Sequence, residues 1–404
     1  MNTFLDKIQP LLGPDLTTYD PYDLWKTRLG LWLKKIYYEK GRITTPLVAP
    51  FFILDAYAPG LIRAFINPQE YPIVRAFALM SALNFHALTS DEKYLDLARN
   101  SAKWLVNNRI EGYHGACWGI NFPWMTKTGY YSPTTPFITH TPYCVEALLI
   151  FSDVINDKKS LETALSSLGF LENDLSILLD DSDKMAVSYG PGHDSRIVIN
   201  ANSYAMMLYA LLANRLSAKQ DRLINKANRI YNFVVSGQNG DGSWFYYHDK
   251  ESGNFIDCFH SCFVMKNLVK YGKLTNTDVS AIVNKGLSYL LENFIDDDFY
   301  LARRFSVSAN PSLTKFDLYD QAELLNLMII LGRIDLAKKL YESIIKYFYI
   351  PSIGAFGSQI NNFGKLNKIK YLRWAIMPMV YVLSEYRKVI EEKELPCGPN
   401  KDFG

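Results

Sequence analysis

Apolar positions fall into two alternating kinds of segment. The first kind begins near residues 71, 139, 197, 256, 315 and 370 and is apolar almost all round. Residues 73–88 read IVRAFALMSALNFHAL and residues 200–213 read NANSYAMMLYALLA, the pattern of helices buried on both sides. The second kind lies between them, at 92–106, 161–171, 219–235, 277–294 and 334–347. There apolar residues recur at i, i+3, i+4 and i+7 with Lys and Asp between, as in YLDLARNSAKWLV. That spacing predicts helices with one buried stripe and a solvated back. Starts of the first kind step by roughly 55–70 residues, longer than a simple solenoid repeat. An N-terminal helix over about 22–38 brings the count to about twelve. No run sustains the alternation of a strand, so strands are expected to be short and confined to loops.

The connections are asymmetric. Those leading from the first kind to the second are short and mostly polar, such as Thr89-Ser90-Asp91 and Gly332-Arg333, and most offer an N-cap residue. Those leading back are long: 109–138, 173–196, 237–255, 295–314 and 350–369. Antiparallel hairpins put all five long loops at one end, and long loops in a compact domain usually serve function. An inner ring of helices, an outer ring and one decorated end make an all-α (α/α)6 toroid. It is expected to be one domain over 1–404, with extended tails at 1–20 and 391–404, because no Pro/Ser-rich linker breaks the period. An open superhelical solenoid is the alternative.

Composition narrows the partners. Across 404 residues, 43 Lys+Arg stand against 41 Asp+Glu, so there is no basic excess to suggest nucleic acid. The aromatic share is 14%, with 27 Tyr, more than an ordinary core needs; Tyr and Trp suit the wall of a wet groove. The five cysteines are odd in number and lack a framework spacing, which reads as reduced thiols in a cytoplasmic protein. The start, MNTFLDKIQPLLGPDL, does not have the form of a signal peptide. No apolar stretch is long enough for a membrane span. The oligomeric state is open.

Several loop and helix-start segments carry a resemblance. They are DEKYLDLARNSAKWL, CWGINFPW (117–124), THTPYCVEALL, SYGPGHDSRIVINANSY (188–204), NGDGSWFYYHD (239–249), FIDCFHSCFVMKNL (255–268) and YLRWAIMPMVYVL. In this order they resemble the six-hairpin, (α/α)6 proteins of bacterial exopolysaccharide, capsule and O-antigen gene clusters, described as polysaccharide-biosynthesis or glycoside-hydrolase-like proteins. More distantly, the toroid is shared with uronyl hydrolases, uronate lyases, uronyl C5-epimerases, N-acylglucosamine epimerases and terpenoid cyclases. Gln238, Gly242 and Trp244 fit the Q-x(3)-G-x-W signature of the cyclases, where it pins helix ends. That signature occurs once here, and the Asp-x-Asp-Asp motif of the protonating cyclases is absent: Asp180-Asp181-Ser182-Asp183 has the wrong order.

Candidate chemistry clusters at the helix starts that follow long loops. Asp257 and His260 are three apart on one helical face and suit a general acid/base pair; the competing reading is a capping Asp and a core histidine. Asp317 and Asp320 can form the carboxylate pair of a glycosidase, or a first turn favoured by the helix dipole. In 188–196, Arg196 can grip a carboxylate, with Asn202 at the next helix start, or Asp194 can cap an ordinary surface turn. Trp118, Trp124, Trp244, Tyr246 and Tyr247 offer platforms for sugar rings. Arg303, Arg304 and Arg373 could neutralise an acidic sugar, or form salt bridges between loop and helix. Cys258, His260 and Cys262 do not converge as metal ligands, because His260 turns about 200° away from each cysteine. No GxGxxG or Walker pattern is present, so no cofactor is expected.

The expected function is a carbohydrate-active enzyme of cell-surface polysaccharide biosynthesis, acting by C5 acid/base chemistry on an acidic sugar as an epimerase or lyase. His260 and Tyr189 or Tyr247 would be acid and base, with Arg196, Arg303 or Arg373 on the carboxylate. Its partner would be a glycan or a lipid-linked or nucleotide-linked sugar. The alternatives are a glycoside hydrolase using Asp257, Asp317 or Asp320, and a non-catalytic glycan-binding or assembly protein.

Overall fold

A computed structural model describes residues 8–127, 129–192, 196–249, 251, 253–308 and 312–394. His193, Asp194, Ser195, Cys397, residues 1–7 and residues 395–404 lie outside the described residues, and with them the expected Asp194 cap and the ends of both tails.

Three N-terminal helices come first: α1 (Arg28–Lys40), α2 (Thr45–Tyr57) and the short α3 (Pro59–Arg63). Five hairpins follow: α4 (Pro72–Thr89) with α5 (Glu92–Asn107), α6 (Thr141–Ile155) with α7 (Lys158–Asn173), α8 (Ile199–Ala213) with α9 (Gln220–Ser236), α10 (Cys258–Thr275) with α11 (Ser280–Phe294), and α12 (Leu318–Ile330) with α13 (Ile334–Phe348). Helix α14 (Met377–Glu394) ends the described chain. The first members of the hairpins and α14 pack in the order α4, α6, α8, α10, α12, α14, and α14 returns to α4, closing a ring. These are the segments apolar all round: in α8 nearly every residue is buried. The partners α5, α7, α9, α11 and α13 bury one stripe. In α13 that stripe is Ala337, Leu340, Ile344 and Phe348, spaced by helical turns.

Turn chemistry makes the hairpins short. Ser90, Asn156 and Asn276 end α4, α6 and α10 with left-handed backbone, and Gly332 does the same after α12. Asp91 and Asp157 then cap α5 and α7, accepting from the amides of Lys93 and Ser160. The long return loops carry the short strands. Ribbons form between β1 (Trp124–Thr126) and β2 (Gly129–Tyr131), between β3 (Ile177–Asp180) and β4 (Met185–Val187), between β6 (Ile295–Asp296) and β7 (Leu301–Ala302), and between β10 (Tyr349–Ile350) and β11 (Ala355–Phe356). Two pairings stitch different loops together. β5 (Ile256–Asp257) pairs with β8 (Phe305–Val307), and β9 (Thr314–Asp317) pairs with β12 (Gln359–Asn361), which is backed by β13 (Leu366–Asn367).

The expected N-terminal helix is displaced. Residues 21–26 form turns, α1 starts at Arg28, and α1 packs on β1 and α2 at the loop-bearing end. Leu24, Trp25, Leu33, Val48 and Ile62 give these helices a small core of their own, separate from the main cluster that runs from Ile8 to Tyr386.

Each inner helix sends one aromatic ring toward the axis. Tyr381 lies 5.4 Å from Phe77, Phe77 5.0 Å from Tyr143, and Tyr143 5.5 Å from Tyr204 (ring centroids). Tyr204 lies 5.5 Å from Phe263, which is 6.1 Å from Tyr319. The hydroxyls of Tyr143 and Tyr204 are 2.6 Å apart. This layer fills the bore of the toroid. Beyond it lie a buried Lys266–Glu323 ion pair and the Lys270–Glu146 bridge between α10 and α6.

Candidate active site

Five of the six inner helices are entered from a long loop and α4 from the short segment 64–71, and among the described residues all six N-termini face the loop-bearing end. The unpaired amides of a helix N-terminus carry partial positive charge, which favours an anion. At this end a cleft of about 220 Å³ is walled by Tyr22, Phe122, Trp124, Tyr131, Phe137 and Tyr246, with Tyr189, Tyr247, Arg196 and Arg373 as its polar groups. No Asp or Glu is among the lining residues.

Local structure explains the placement. Trp124 and Tyr131 are directly opposed on the β1–β2 ribbon. A bridge between Val198 and Tyr247, with the Ile199 amide donating to the Tyr246 carbonyl, sets both tyrosines against the start of α8. Arg196 stacks on Tyr247, its guanidinium 3.5 Å from the ring centre, and gives its Nε–Nη2 edge to Asp249. Arg373 gives the same edge to Asp20 from a buried position. Nη1 of each takes no protein acceptor among the described residues, so each retains a donor for a ligand. The ammonium of Lys34 stands 3.1 Å above the ring of Trp124, and burial pushes it down to about 7.

Two histidines flank the cleft. His260 keeps a fifth of its side chain exposed; its ring lies 4.6 Å from that of Tyr246, and Nδ1 sits 2.8 Å from both oxygens of buried Asp257. That carboxylate selects the tautomer with hydrogen on Nδ1, leaving the Nε2 lone pair free to take a proton. His140, just before α6, is the second. Thr139 Oγ1 donates to Tyr189 Oη at 2.9 Å and lies 3.2 Å from His140 Nδ1, linking phenol, hydroxyl and imidazole. Burial, with Arg373 nearby, pushes His140 down to about 3, so it is neutral at ordinary pH. Burial pushes the Tyr189 phenol up to about 12, which makes it a proton donor there.

The structure thus brings together Trp124, Tyr189, Arg196, Tyr246, Tyr247 and Arg373, with His260 and Asp257 alongside. Other expected residues lie elsewhere. Trp118 is fully buried and donates its indole N–H to the Leu105 carbonyl; Trp244 is buried and donates to Val234. Both are core anchors, because a buried indole needs one acceptor and a helix end supplies it. Gln238 bonds the carbonyls of Gly242 and Ile282, so the Q-x(3)-G-x-W segment ties α9 to α11. Asn202 is buried and clamps Val187 of β4 to α8 through both its amide atoms. Arg303 turns outward to Asp296.

The carboxylates Asp317 and Asp320 are both fully buried. Asp317 caps α12, accepting from the Tyr319 amide, and its other oxygen accepts from Gln359, Trp374 and Arg304. Asp320 accepts from the Phe259 amide, while its second oxygen has no partner. Burial, reinforced by the Asp317 charge, raises Asp320 well above the usual carboxylate range. Neither opens on the cleft. Cys258 and Cys262 face each other in the core, while His260 turns to Asp257.

Sequence reasoning missed Tyr22, Tyr131, Phe137 and His140. THTPY contained the only local signal for His140: a histidine at an inner-helix start, as His260 is. Tyr22 had none, because its place depends on how the N-terminal helices fold back.

No family model matches the chain, and none of the curated proteins does. By structure the chain is similar to cellobiose 2-epimerase from Bacillus thermoamylovorans, with a TM-score of 0.63 and 11% identity, covering 80% of this chain and 88% of that one. It is similar to the GH76 α-mannanase of Bacteroides thetaiotaomicron, at 0.59 and 12%, covering 80% and 88%. It is also similar to a family 105 glycoside hydrolase of C. acetobutylicum, at 0.55 and 12%, covering 78% and 93%. The closed ring of inner helices and these three likenesses together establish the fold as an (α/α)6 toroid.

Proposed function

We propose that this protein is a carbohydrate-active enzyme that moves a proton at C5 of an acidic sugar, as an epimerase or a lyase. The observation that carries this reading is a cleft whose lining holds two guanidiniums and five phenols but no carboxylate. Arg196 and Arg373 would hold the sugar carboxylate through Nη1, drawing charge from C5 and making its proton removable. Nε2 of His260 would take that proton while Asp257 stabilises the imidazolium. A phenol, Tyr189 or Tyr247, would return a proton to C5 from the other face, giving the epimer. If it instead protonates the departing C4 oxygen, the C4–O bond breaks and a C4–C5 double bond forms. Turnover by this route leaves a tyrosine phenolate and a His260 imidazolium, and exchange of one proton with solvent would return both to their starting state; His140, neutral and in contact with Thr139, would hold that hydroxyl against Tyr189. Aromatic walls suit a sugar face.

The kinds of enzyme that share the toroid support a sugar substrate: an epimerase, a mannanase and a family 105 hydrolase. Hydrolysis by Asp257, Asp317 or Asp320 has less support, because all three are buried and bonded within the protein. A role in cell-surface polysaccharide synthesis, in the cytoplasm, is part of the same proposal. It rests on the resemblance of the loop segments and on four buried, unpaired cysteines among the described residues. The test is incubation with uronate-containing oligosaccharides in deuterium oxide. Deuterium at C5, or a new double bond, supports the reading. New reducing ends without a double bond would replace it with hydrolysis, and binding without turnover would leave a glycan-binding protein.

A further inference from the structure

The N-terminal helices invert the usual arrangement of charge and apolar surface. In α2 and α3, residues 45–63, the only ionisable carboxylate and guanidinium are Asp55 and Arg63, and both turn inward. Asp55 accepts from the indole N–H of Trp25 at 2.8 Å, and Arg63 lies over the ring of Tyr371, 4.6 Å from its centre. The outer face is left to Leu47, Phe52, Ile53, Leu61 and Phe65, the last 90% exposed. Ile43, at 82%, leads into it. A surface of this kind is not the ordinary scatter of single apolar residues. Beside it stand exposed Arg28, Lys35, Lys40 and Arg42, against a single exposed acid, Glu39. Trp32, Tyr38 and Tyr57 are exposed on the same helices, and such rings favour the boundary between lipid headgroups and acyl chains.

We infer that α1–α3 form a docking face for an anionic phospholipid bilayer, with the apolar side chains entering the headgroup boundary and the cations resting on lipid phosphates. Charge complementarity selects this occupant. A second copy packed on the same face would bring two cationic rims together, whereas anionic lipid neutralises them. Among the described residues no helix is long and apolar enough to cross a membrane, so the contact is peripheral. The same helices back the cleft on their inner side: Tyr22 and Trp124 pack on their core and also line it. The inference does not depend on the reaction, since a binding protein or a hydrolase would use the face in the same way.

The test is co-sedimentation of the full chain with vesicles of phosphatidylcholine alone and with added phosphatidylglycerol. Binding is expected to vesicles with phosphatidylglycerol and to weaken as salt rises. Ile53→Ser with Phe65→Ser changes exposed side chains and should weaken binding at least tenfold, as each loses its transfer to lipid. Lys40→Gln with Arg42→Gln should lower the preference for phosphatidylglycerol by about fivefold per charge removed. Equal sedimentation of the wild type and the double serine variant, or none with either vesicle, would overturn the inference. So would a dimer in light scattering that the serine substitutions dissociate without any vesicle binding.

Discussion

Trp118, Trp124 and Trp244 show how little a side chain's identity says by itself. All three sit in aromatic stretches of long loops, yet only Trp124 lines the cleft. The other two send their indoles to helix-end carbonyls in the core; the Q-x(3)-G-x-W pattern signalled that role for Trp244, but nothing local separates Trp118 from a stacking platform. Polar residues behave similarly: of two adjacent arginines, Arg303 faces solvent and Arg304 bonds Asp317. Two predictions belong at this scale. Tyr247→Phe and His260→Ala should each lower kcat by about 10²–10⁴ with a smaller change in KM, the range for losing a general acid or base. They are to be measured on the substrate that the deuterium experiment identifies, and full activity in both would remove the proton-transfer reading. Arg373→Lys should raise KM for an acidic sugar more than for its neutral analogue, because an ammonium cannot keep one edge on Asp20 and still offer a second planar donor.

Elements depend on close approaches that spacing does not reveal. A Cβ on Gly169 of α7 would stand 2.2 Å from the carbonyl oxygen of His114, so the first long loop lies directly on that helix. Gly169→Ala should cost about 1–3 kcal/mol in urea denaturation, as overpacking does. Gly60→Ala, where a Cβ meets nothing within 4 Å, should be near neutral or mildly stabilising. The helical periods, the short capped turns and the long loops were all legible in the chain, because they rest on interactions within a few residues. The N-terminal helix was legible as a helix, but its partner was not. Its apolar stripe could face an outer ring or a neighbour of its own, and Val48 and Ile62 supply the neighbour.

The whole molecule brings distant charges into one dry interior, and pH is the probe of that. Asp320 keeps its proton in the folded chain to a higher pH than in the unfolded chain. Its contribution to stability is therefore full below the unfolded value of about 4 and is lost as pH rises through the folded value. Asp320→Asn should flatten the fall in stability between mildly acidic and alkaline pH. His140 has the opposite sign: its folded value of about 3 lies below its unfolded value. It stabilises above the unfolded value, about 6.5, and loses that contribution as pH falls toward the folded one. His140→Gln should lack that acid-side loss, and urea melts across the pH range read both effects. We also propose that the main core, continuous from Ile8 to Tyr386, makes the chain one cooperative unit. Calorimetry should then show one principal transition, and two well-separated main transitions would count against it.

The sequence by itself determined the alternation of buried and amphipathic helices, the end at which the long loops gather and the residue types available to the cleft. Each of these follows from period, turn chemistry and composition, which act along the chain. Only the tertiary structure decided which aromatics close the bore, which loop residues reach the cleft and which carboxylates are sealed beneath it. Those outcomes depend on the strand pairings that stitch one loop to the next and on the fold-back of the N-terminal helices, contacts between residues as far apart as Asp20 and Arg373. Local pattern cannot encode such contacts, because each side chain chooses its partner only after the ring has closed.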